Sequence, residues 1–242
     1  MESAILTYHS LDDSGSVLST RPGLFRRQMH SLASRGIPVA PLEEVARGRK
    51  ALALTFDDGY ENFAECAVPV LEELGLPATV FVVSGRCGGW SDWETAGGAP
   101  RLRLMDWGVL GSLPPRLISL GSHTVSHVNL TRLTAARMEA ELGDSRREIE
   151  QRLGRAVPDL AYPYGSVNQA ARAAAACRYR LAAGTSLRYV GPGCDALELP
   201  RIDAYYLRRP EIFDRVTAGQ GSRYLGIRRF LRELRSAATR AS

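Results

Sequence analysis

Lysine is almost absent from this chain. Lys50 is the only one, so arginine supplies nearly all the positive charge, and 31 basic against 26 acidic residues leave a net charge of +5. This bias mainly indicates the composition of the genome; in the functional alternative, an arginine-rich surface favours anionic partners such as phosphates or acidic lipid headgroups. No segment matches a nucleic-acid-binding motif, so we expect no nucleic-acid partner.

Cysteines and long apolar runs are also scarce. The four cysteines are scattered and form no C-x-x-C pair, which favours free thiols. No run reaches the ~18 apolar residues that are needed to cross a bilayer. Residues 1–9 lack the basic start, apolar stretch and small-residue cleavage site of a secretory signal, so we expect a cytoplasmic protein.

Short apolar runs do alternate with stretches of helical spacing. Helices are predicted at residues 23–34, 62–74 and 134–153, and strands at residues 4–8, 51–56, 77–83, 118–120, 160–162, 181–183 and 199–202. Strands that alternate with helices indicate a parallel sheet with right-handed crossovers, in either a β/α barrel or an open doubly wound fold. We expect one catalytic domain that spans residues 1–242.

Two of the four histidines, His123 and His127, lie close together in the sequence. A spacing of four would put both imidazoles on one face of a helical turn, within reach of one cation. The pair also follows a predicted strand, which suits a site at the mouth of a sheet. Two histidines that are simply solvated, or satisfied within the core, are the alternative.

Two adjacent carboxylates, Asp57 and Asp58, end the predicted strand at residues 51–56. Aspartate before glycine favours a turn, which needs no further function. In the functional interpretation, one carboxylate binds a divalent metal, and its neighbour takes a proton from a water whose pKa the metal lowers towards ~7. With the two histidines, this set is the minimum for metal-assisted hydrolysis of an amide or ester.

Residues 55–59 (Thr-Phe-Asp-Asp-Gly) and residues 123–127 (His-Thr-Val-Ser-His) together resemble the signature motifs of the polysaccharide deacetylases with a NodB-like domain, carbohydrate esterase family four. The resemblance runs from about residue 6 to about residue 205. It implies an α/β fold, a distorted (β/α)7 barrel. It also implies Asp57 as the general base and Asp58, His123 and His127 as ligands of one divalent metal. Zinc is our first expectation, and cobalt and nickel also suit these ligands.

Residues 161–165 resemble the third motif of this family, whose Pro163 and Tyr164 would shape one wall of the substrate groove. Two features depart from the family. The segment before Pro163 lacks the arginine that orients the catalytic base, so we expect Arg201 to take its place, unless Arg201 is a surface residue. No histidine follows His127 to act as general acid, so we expect His9, at the end of the first strand, to protonate the leaving amine, unless it merely shapes the pocket.

Trp90 and Trp93 lie in a predicted long loop at residues 84–100, where they could either stack on a sugar ring or pack against the barrel. Residues from about 223 to 239 predict a basic amphipathic helix with apolar side chains at Leu225, Ile227, Phe230, Leu231 and Leu234. This helix would either pack on the barrel with a solvated basic face or dock on an anionic membrane, which would suit a lipid-linked substrate.

The resemblance implies a metal-dependent hydrolase that removes the N-acetyl group from an N-acetylated amino sugar and releases acetate. The substrate would be a glycoside, an oligosaccharide, or a lipid- or nucleotide-linked sugar. Two alternatives stay open. Because two family features are missing, the domain could bind sugars without turnover, and a deformylase or another amide hydrolase would use the same chemistry.

Overall fold

Seven short strands form one parallel sheet in the computed structural model, which describes residues 2–93 and 100–241. The strands are β1 (Ala4–Tyr8), β2 (Leu52–Phe56), β3 (Ala78–Val82), β4 (Ile118–Ser122), β5 (Asp159–Ala161), β6 (Leu181–Ala183) and β7 (Ile202–Asp203). Their order across the sheet is β6-β5-β4-β3-β2-β1-β7. The curled sheet with its surrounding helices confirms the distorted (β/α)7 barrel.

The strands are almost wholly apolar because both of their faces are covered. Every residue of β1, β2 and β3 is buried, as expected for a parallel sheet between helices and a packed interior. The register aligns Tyr8 with Phe56, so β1 and β2 end together. The residues that follow each strand therefore meet at one edge of the sheet, the carboxyl-terminal edge.

Within residues 2–93 and 100–241, eight α-helices connect and cover the strands. They are α1 (Pro22–Ser34), α2 (Leu42–Ala46), α3 (Val68–Leu74), α4 (Trp107–Ser112), α5 (Ala135–Leu153), α6 (Gln169–Ala176), α7 (Pro210–Thr217) and α8 (Ser222–Ala241). The longest predicted helix begins and ends as its sequence indicates. The Thr134 side chain accepts a hydrogen bond from the backbone N–H of Arg137, and Gly154 ends α5 at a positive φ of 61°.

The helix predicted at residues 62–74 is not continuous. A π-helical turn (Phe63–Ala67) precedes α3, which restarts around Pro69 because proline has no backbone N–H to donate to the preceding turn. In the predicted loop at residues 84–100, a short 3-10 turn covers Ser84–Arg86, and residues 94–99 lie outside the described residues. The predicted C-terminal helix falls within α8. Among the described residues, no helix combines the length and the apolar character needed to cross a membrane.

Candidate active site

A cavity of about 190 Å³ opens at the carboxyl-terminal edge of the sheet. The ends of six strands contribute to its lining, with His9 after β1, Asp57 and Asp58 after β2, and His123 after β4. The lining also includes residues that follow β5 and β6 and one residue of β7: Tyr162, Tyr164, Gly165, Thr185 and Asp203. The strand register thus brings together residues that lie far apart in the sequence.

Asp58, His123 and His127 form a buried cluster in this cavity. Their potential ligand atoms all lie within 4.8 Å of one another. The Nε2 atoms of His123 and His127 lie 3.5 and 3.2 Å from Oδ1 of Asp58. Nδ1 of His123 lies 2.7 Å from the carbonyl oxygen of Ala161. Because a carbonyl oxygen can only accept, Nδ1 carries the proton and Nε2 keeps its lone pair directed towards Asp58.

The donor set fits a divalent metal. Oδ1 of Asp58 and Nδ1 of His127 are buried and have no hydrogen-bond partner among the described residues. A buried carboxylate oxygen without a partner lowers the stability of the fold, and a bound cation at Oδ1 would remove that cost. Burial lowers the pKa of His123 to about 4; the charge of Asp57 acts in the opposite direction, and His127 adds to the decrease. The His123 imidazole is therefore neutral at pH 7. Two imidazoles and one carboxylate are typical ligands of zinc in a catalytic site.

The segment that carries the two histidines is an irregular loop, not the helical turn that the spacing predicted. Thr124 and His127 have positive φ values of 67° and 56°, which end any helix at once. Glu141, in α5, supplies the hydrogen-bond acceptors that the backbone N–H groups of this loop would have found within a helix. Its carboxylate accepts hydrogen bonds from the backbone N–H groups of Val125 and Ser126, both at 3.0 Å, and from the Ser126 hydroxyl at 2.6 Å.

Backbone strain is concentrated at this site. Among the described residues, the non-glycine positions with positive φ are Asp58, Thr124, His127 and Tyr164. Each is a residue of the cavity or of the histidine loop. Conformations of this kind cost about 1–3 kcal/mol each and persist only where the surroundings impose them. Two of the three potential metal ligands, Asp58 and His127, are thus held in backbone conformations that lower the stability of the fold.

Asp57 is held by Arg201, as the sequence predicted. Its Oδ1 and Oδ2 accept hydrogen bonds of 2.7 Å from Nη1 and Nη2 of Arg201, and both side chains are buried. Arg201 is itself fixed by a 2.9 Å bond from Nε to the carbonyl oxygen of Gly184. Burial alone would raise the pKa of Asp57, but the Arg201 guanidinium, with smaller contributions from His123 and His9, holds it below its usual range.

His9 lies on the other side of the same carboxylate. Its Nε2 atom is 3.8 Å from Oδ2 of Asp57, and 16% of the side chain is exposed. It therefore faces both Asp57 and the open part of the cavity, as expected of a group that exchanges protons with a substrate. His30, the remaining histidine, lies in α1 with Nε2 3.5 Å from Oε1 of Glu73, and it does not line the cavity.

Two of the four predicted substrate-binding residues line the cavity. Trp93 stacks on His127 with ring centroids 4.4 Å apart, and Tyr164 contacts the same imidazole edge-on at 4.7 Å. Pro163 is buried and begins the turn that presents Tyr164. Trp90 does not line the cavity. It pairs with the backbone of Arg103, which places its ring beside two guanidinium groups, those of Arg101 and Arg103, at 5.0 and 5.4 Å.

Other lining residues were missed by the sequence analysis. They are Leu18, Tyr162, Gly165, Thr185, Asp203 and Arg232. Thr185 follows β6 and Asp203 ends β7, so the rule that residues at strand ends form the site could have found both. Leu18 lies in the loop before α1 and Arg232 in the middle of α8, where no local pattern marks them.

Comparisons with known proteins identify the family of this chain. A family model described as polysaccharide deacetylase matches residues 44–182, more than half of the chain. The Bacillus subtilis (strain 168) protein YxkH, provisionally named a polysaccharide deacetylase, is 26% identical over 173 residues, which are 68% of this chain and 57% of that protein. The poly-beta-1,6-N-acetyl-D-glucosamine N-deacetylase of Escherichia coli (strain K12) is 31% identical over 98 residues, which are 36% of this chain and 14% of that enzyme. The chain thus spans less than two thirds of the length of either relative.

Among solved structures, the Streptococcus pyogenes deacetylase PplD in complex with acetate has a TM-score of 0.72 at 25% identity. The similarity covers 84% of this chain and 92% of that one. Because the family model covers more than half of the chain and the fold coincides with that of a solved deacetylase, this chain belongs to the polysaccharide deacetylase family.

Proposed function

We propose that this chain hydrolyses the acetamide of an N-acetylated amino sugar with the help of one divalent metal. The observation that carries the proposal is the buried cluster of Asp58, His123 and His127 beside a carboxylate, Asp57, that Arg201 keeps out of the ligand set. Membership of the family supports deacetylase activity in general. The E. coli relative is named for an N-acetylglucosamine polymer, which supports an N-acetylated glucosamine unit as the substrate.

Asp58, His123 and His127 would hold the ion, and zinc, cobalt and nickel all suit these ligands. A divalent ion in this position would polarise the acetamide carbonyl and acidify the attacking water. Asp57 then needs only modest basicity, because the proton that it takes is already acidic. The lowered pKa of Asp57 keeps it ionised and ready to accept that proton at neutral pH.

Arg201 contributes by positioning the carboxylate of Asp57. Its two hydrogen bonds fix the plane of the carboxylate, and they leave the second lone pairs of both oxygens for a water molecule. His9, beside Asp57 and partly exposed to the cavity, is placed to protonate the departing amine. An amine leaves poorly unless it is protonated, so this step needs a proton donor on the side of the cavity that faces solvent.

The rings of Trp93 and Tyr164 enclose His127 and form the apolar wall of the cavity. A wall of this kind suits the methyl group of an acetamide and the face of a sugar ring.

The central test is an Asp57→Asn variant, assayed for acetate release from N-acetylglucosamine oligomers and for bound metal. We expect the rate to fall about 10²–10⁴-fold, because proton transfer by a positioned base contributes a factor of this size. Metal content should stay at the parental level. The control is Asp159→Asn, since Asp159 is buried at the opposite edge of the sheet. An Asp57→Asn variant as fast as the parent would refute the proposal.

The same assays separate the alternatives. Acetate release that disappears with a chelator and returns with zinc, cobalt or nickel is the expected result. Metal and sugar binding without acetate from any N-acetylated sugar would indicate a binding module instead. Formate release from N-formyl sugars, with no acetate from their N-acetyl counterparts, would indicate a deformylase.

A further inference from the structure

One side of α8 exposes large apolar side chains. Ile227, Phe230, Leu231 and Leu234 keep 52, 59, 38 and 52% of their surface exposed. Their spacing puts them on one side of the helix, and we refer to these four residues as the apolar stripe. Leu225, which is 1% exposed, packs into the core from the opposite side of the helix. The helix is thus attached to the barrel along one side and presents apolar surface on the other.

The excess of positive over negative charge in the protein is matched by the same helix. Within Ser222–Ala241 lie six arginines and one acidic residue, Glu233, so α8 carries a net charge of +5. The whole chain also has a net charge of +5. The rest of the chain therefore has equal numbers of basic and acidic residues and no net charge. An apolar stripe on a helix whose charge equals the net charge of the whole chain is the pattern of a helix that lies in a membrane interface.

The apolar stripe lies close to the mouth of the catalytic cavity. Arg232, which lies between Leu231 and Leu234 in the sequence, lines the cavity and donates a 2.6 Å hydrogen bond to the carbonyl oxygen of Thr185. One turn earlier, the Arg228 guanidinium lies over the rings of Tyr206 and Tyr224 at 5.5 and 5.6 Å. These contacts fix the barrel-facing side of α8 at the rim, so the stripe lies on the outer side of a helix that borders the cavity.

We propose that the apolar stripe of α8 docks on an anionic lipid bilayer and that the substrate is an N-acetylated sugar carried on a lipid anchor. The part about the substrate rests on the proposed function. Acidic headgroups match the charge of the helix, and the outermost acyl chains match Ile227, Phe230, Leu231 and Leu234. A second copy of the chain is a poorer occupant, because two α8 helices face to face would bring together two net charges of +5.

The docking is tested with the full chain and two kinds of vesicle, pure phosphatidylcholine and phosphatidylcholine with phosphatidylglycerol. We expect co-sedimentation with the anionic vesicles alone, weakened by added salt. Replacing Phe230 and Leu234 together by serine should weaken binding by about a hundredfold, whereas Phe230→Leu should bind like the parent. Arg223→Glu should weaken it by about thirtyfold, since it changes two charges. The matched control is Arg116→Glu, on the exposed turn before β4.

Three results would overturn the docking proposal: no binding to anionic vesicles, equal binding by the double serine variant, or a parental dimer that this variant converts to monomers. The last would assign the apolar stripe to a second copy.

Activity gives an independent measurement. The double serine variant should release acetate from a soluble N-acetylglucosamine oligomer at the parental rate, but more slowly from an N-acetylglucosaminyl lipid in anionic vesicles.

Equal rates on the vesicle substrate would refute the lipid-anchored substrate. Acetate from neither substrate would refute the proposed function, while the vesicle binding experiment would still decide the docking. The two failures are therefore distinguishable.

Discussion

Replacing Arg201 by glutamine tests the buried pair that holds the predicted base. In the parent, two hydrogen bonds of 2.7 Å join Arg201 to Asp57, and both side chains are at least nine-tenths buried. Glutamine offers one neutral donor group in place of the charged fork, so Asp57 becomes a buried charge without its partner. Breaking a buried ion pair from one side costs about 3–5 kcal/mol. For a chain of this length, that loss lowers Tm by roughly 10 °C.

The same substitution should move the pH dependence of activity in a defined direction. In the parent, Arg201 holds the pKa of Asp57 below its usual range, so Asp57 is ionised above that lowered pKa. The stability that Asp57 contributes is present at neutral pH and is lost only as the pH falls through the lowered value. Without the guanidinium, burial dominates and raises the pKa. The acidic limb of kcat/KM should therefore move to higher pH, and kcat should fall at every pH.

Thermal unfolding followed by circular dichroism, together with kcat/KM across pH, measures both effects. Arg172→Gln is the matched control, because Arg172 also pairs with an aspartate, Asp195, at 2.5 Å, but with 44 and 37% of the two side chains exposed. Because water screens an exposed ion pair, we expect the control to keep nearly the parental Tm and the parental pH profile. An Arg201→Gln variant with the parental Tm and an unmoved acidic limb would contradict the reasoning from this pair.

Two further predictions concern the metal ligands. Glu141→Ala removes three hydrogen bonds that hold the histidine loop, so affinity for zinc, measured by competition with a chromophoric chelator, should fall about 10–100-fold. Glu148→Ala, on the same helix, should leave affinity unchanged, and equal losses in both variants would argue against a specific role of Glu141. In metal-free protein, the pKa of His123 is lowered to about 4, so stability should fall by about 3 kcal/mol as the pH drops from ~6.5 towards that value, because the unfolded state takes up the proton first. Urea unfolding in the presence of a chelator should show this slope in the parent and a much smaller one in His123→Gln, and the same slope in both proteins would refute the assignment to His123.

The sequence was sufficient to find the centre of the site and the class of the fold. Asp57, Asp58 and the two histidines follow predicted strands, and parallel strands end at a common edge, so local patterns and one topological rule bring them together. Arg201 was predicted because the family resemblance implies an arginine beside Asp57, and the segment before Pro163 lacks it. This worked because a buried carboxylate requires a partner.

The remaining features depend on contacts that no local pattern encodes. Spacing alone predicted a helical turn for residues 123–127, but Glu141, which lies far along the chain, satisfies the N–H groups that a helix would have bonded internally. Arg232 reaches the cavity only because α8 packs across its rim. Trp90 belongs to the correct loop, yet its backbone pairs with Arg103, and its ring lies beside two guanidinium groups rather than at the cavity.

The order of the strands also determines when the site can be completed during synthesis. The last strand along the chain, β7, pairs with the first, β1, and Arg201 immediately precedes it. Asp58, His123 and His127 all lie within the first 127 residues, so a growing chain could carry its complete ligand set long before the guanidinium that orients Asp57 is made. The ability to capture an ion and the ability to hydrolyse are thus separated in time, and the pairing of the first and last strands of the chain would be the step that joins them.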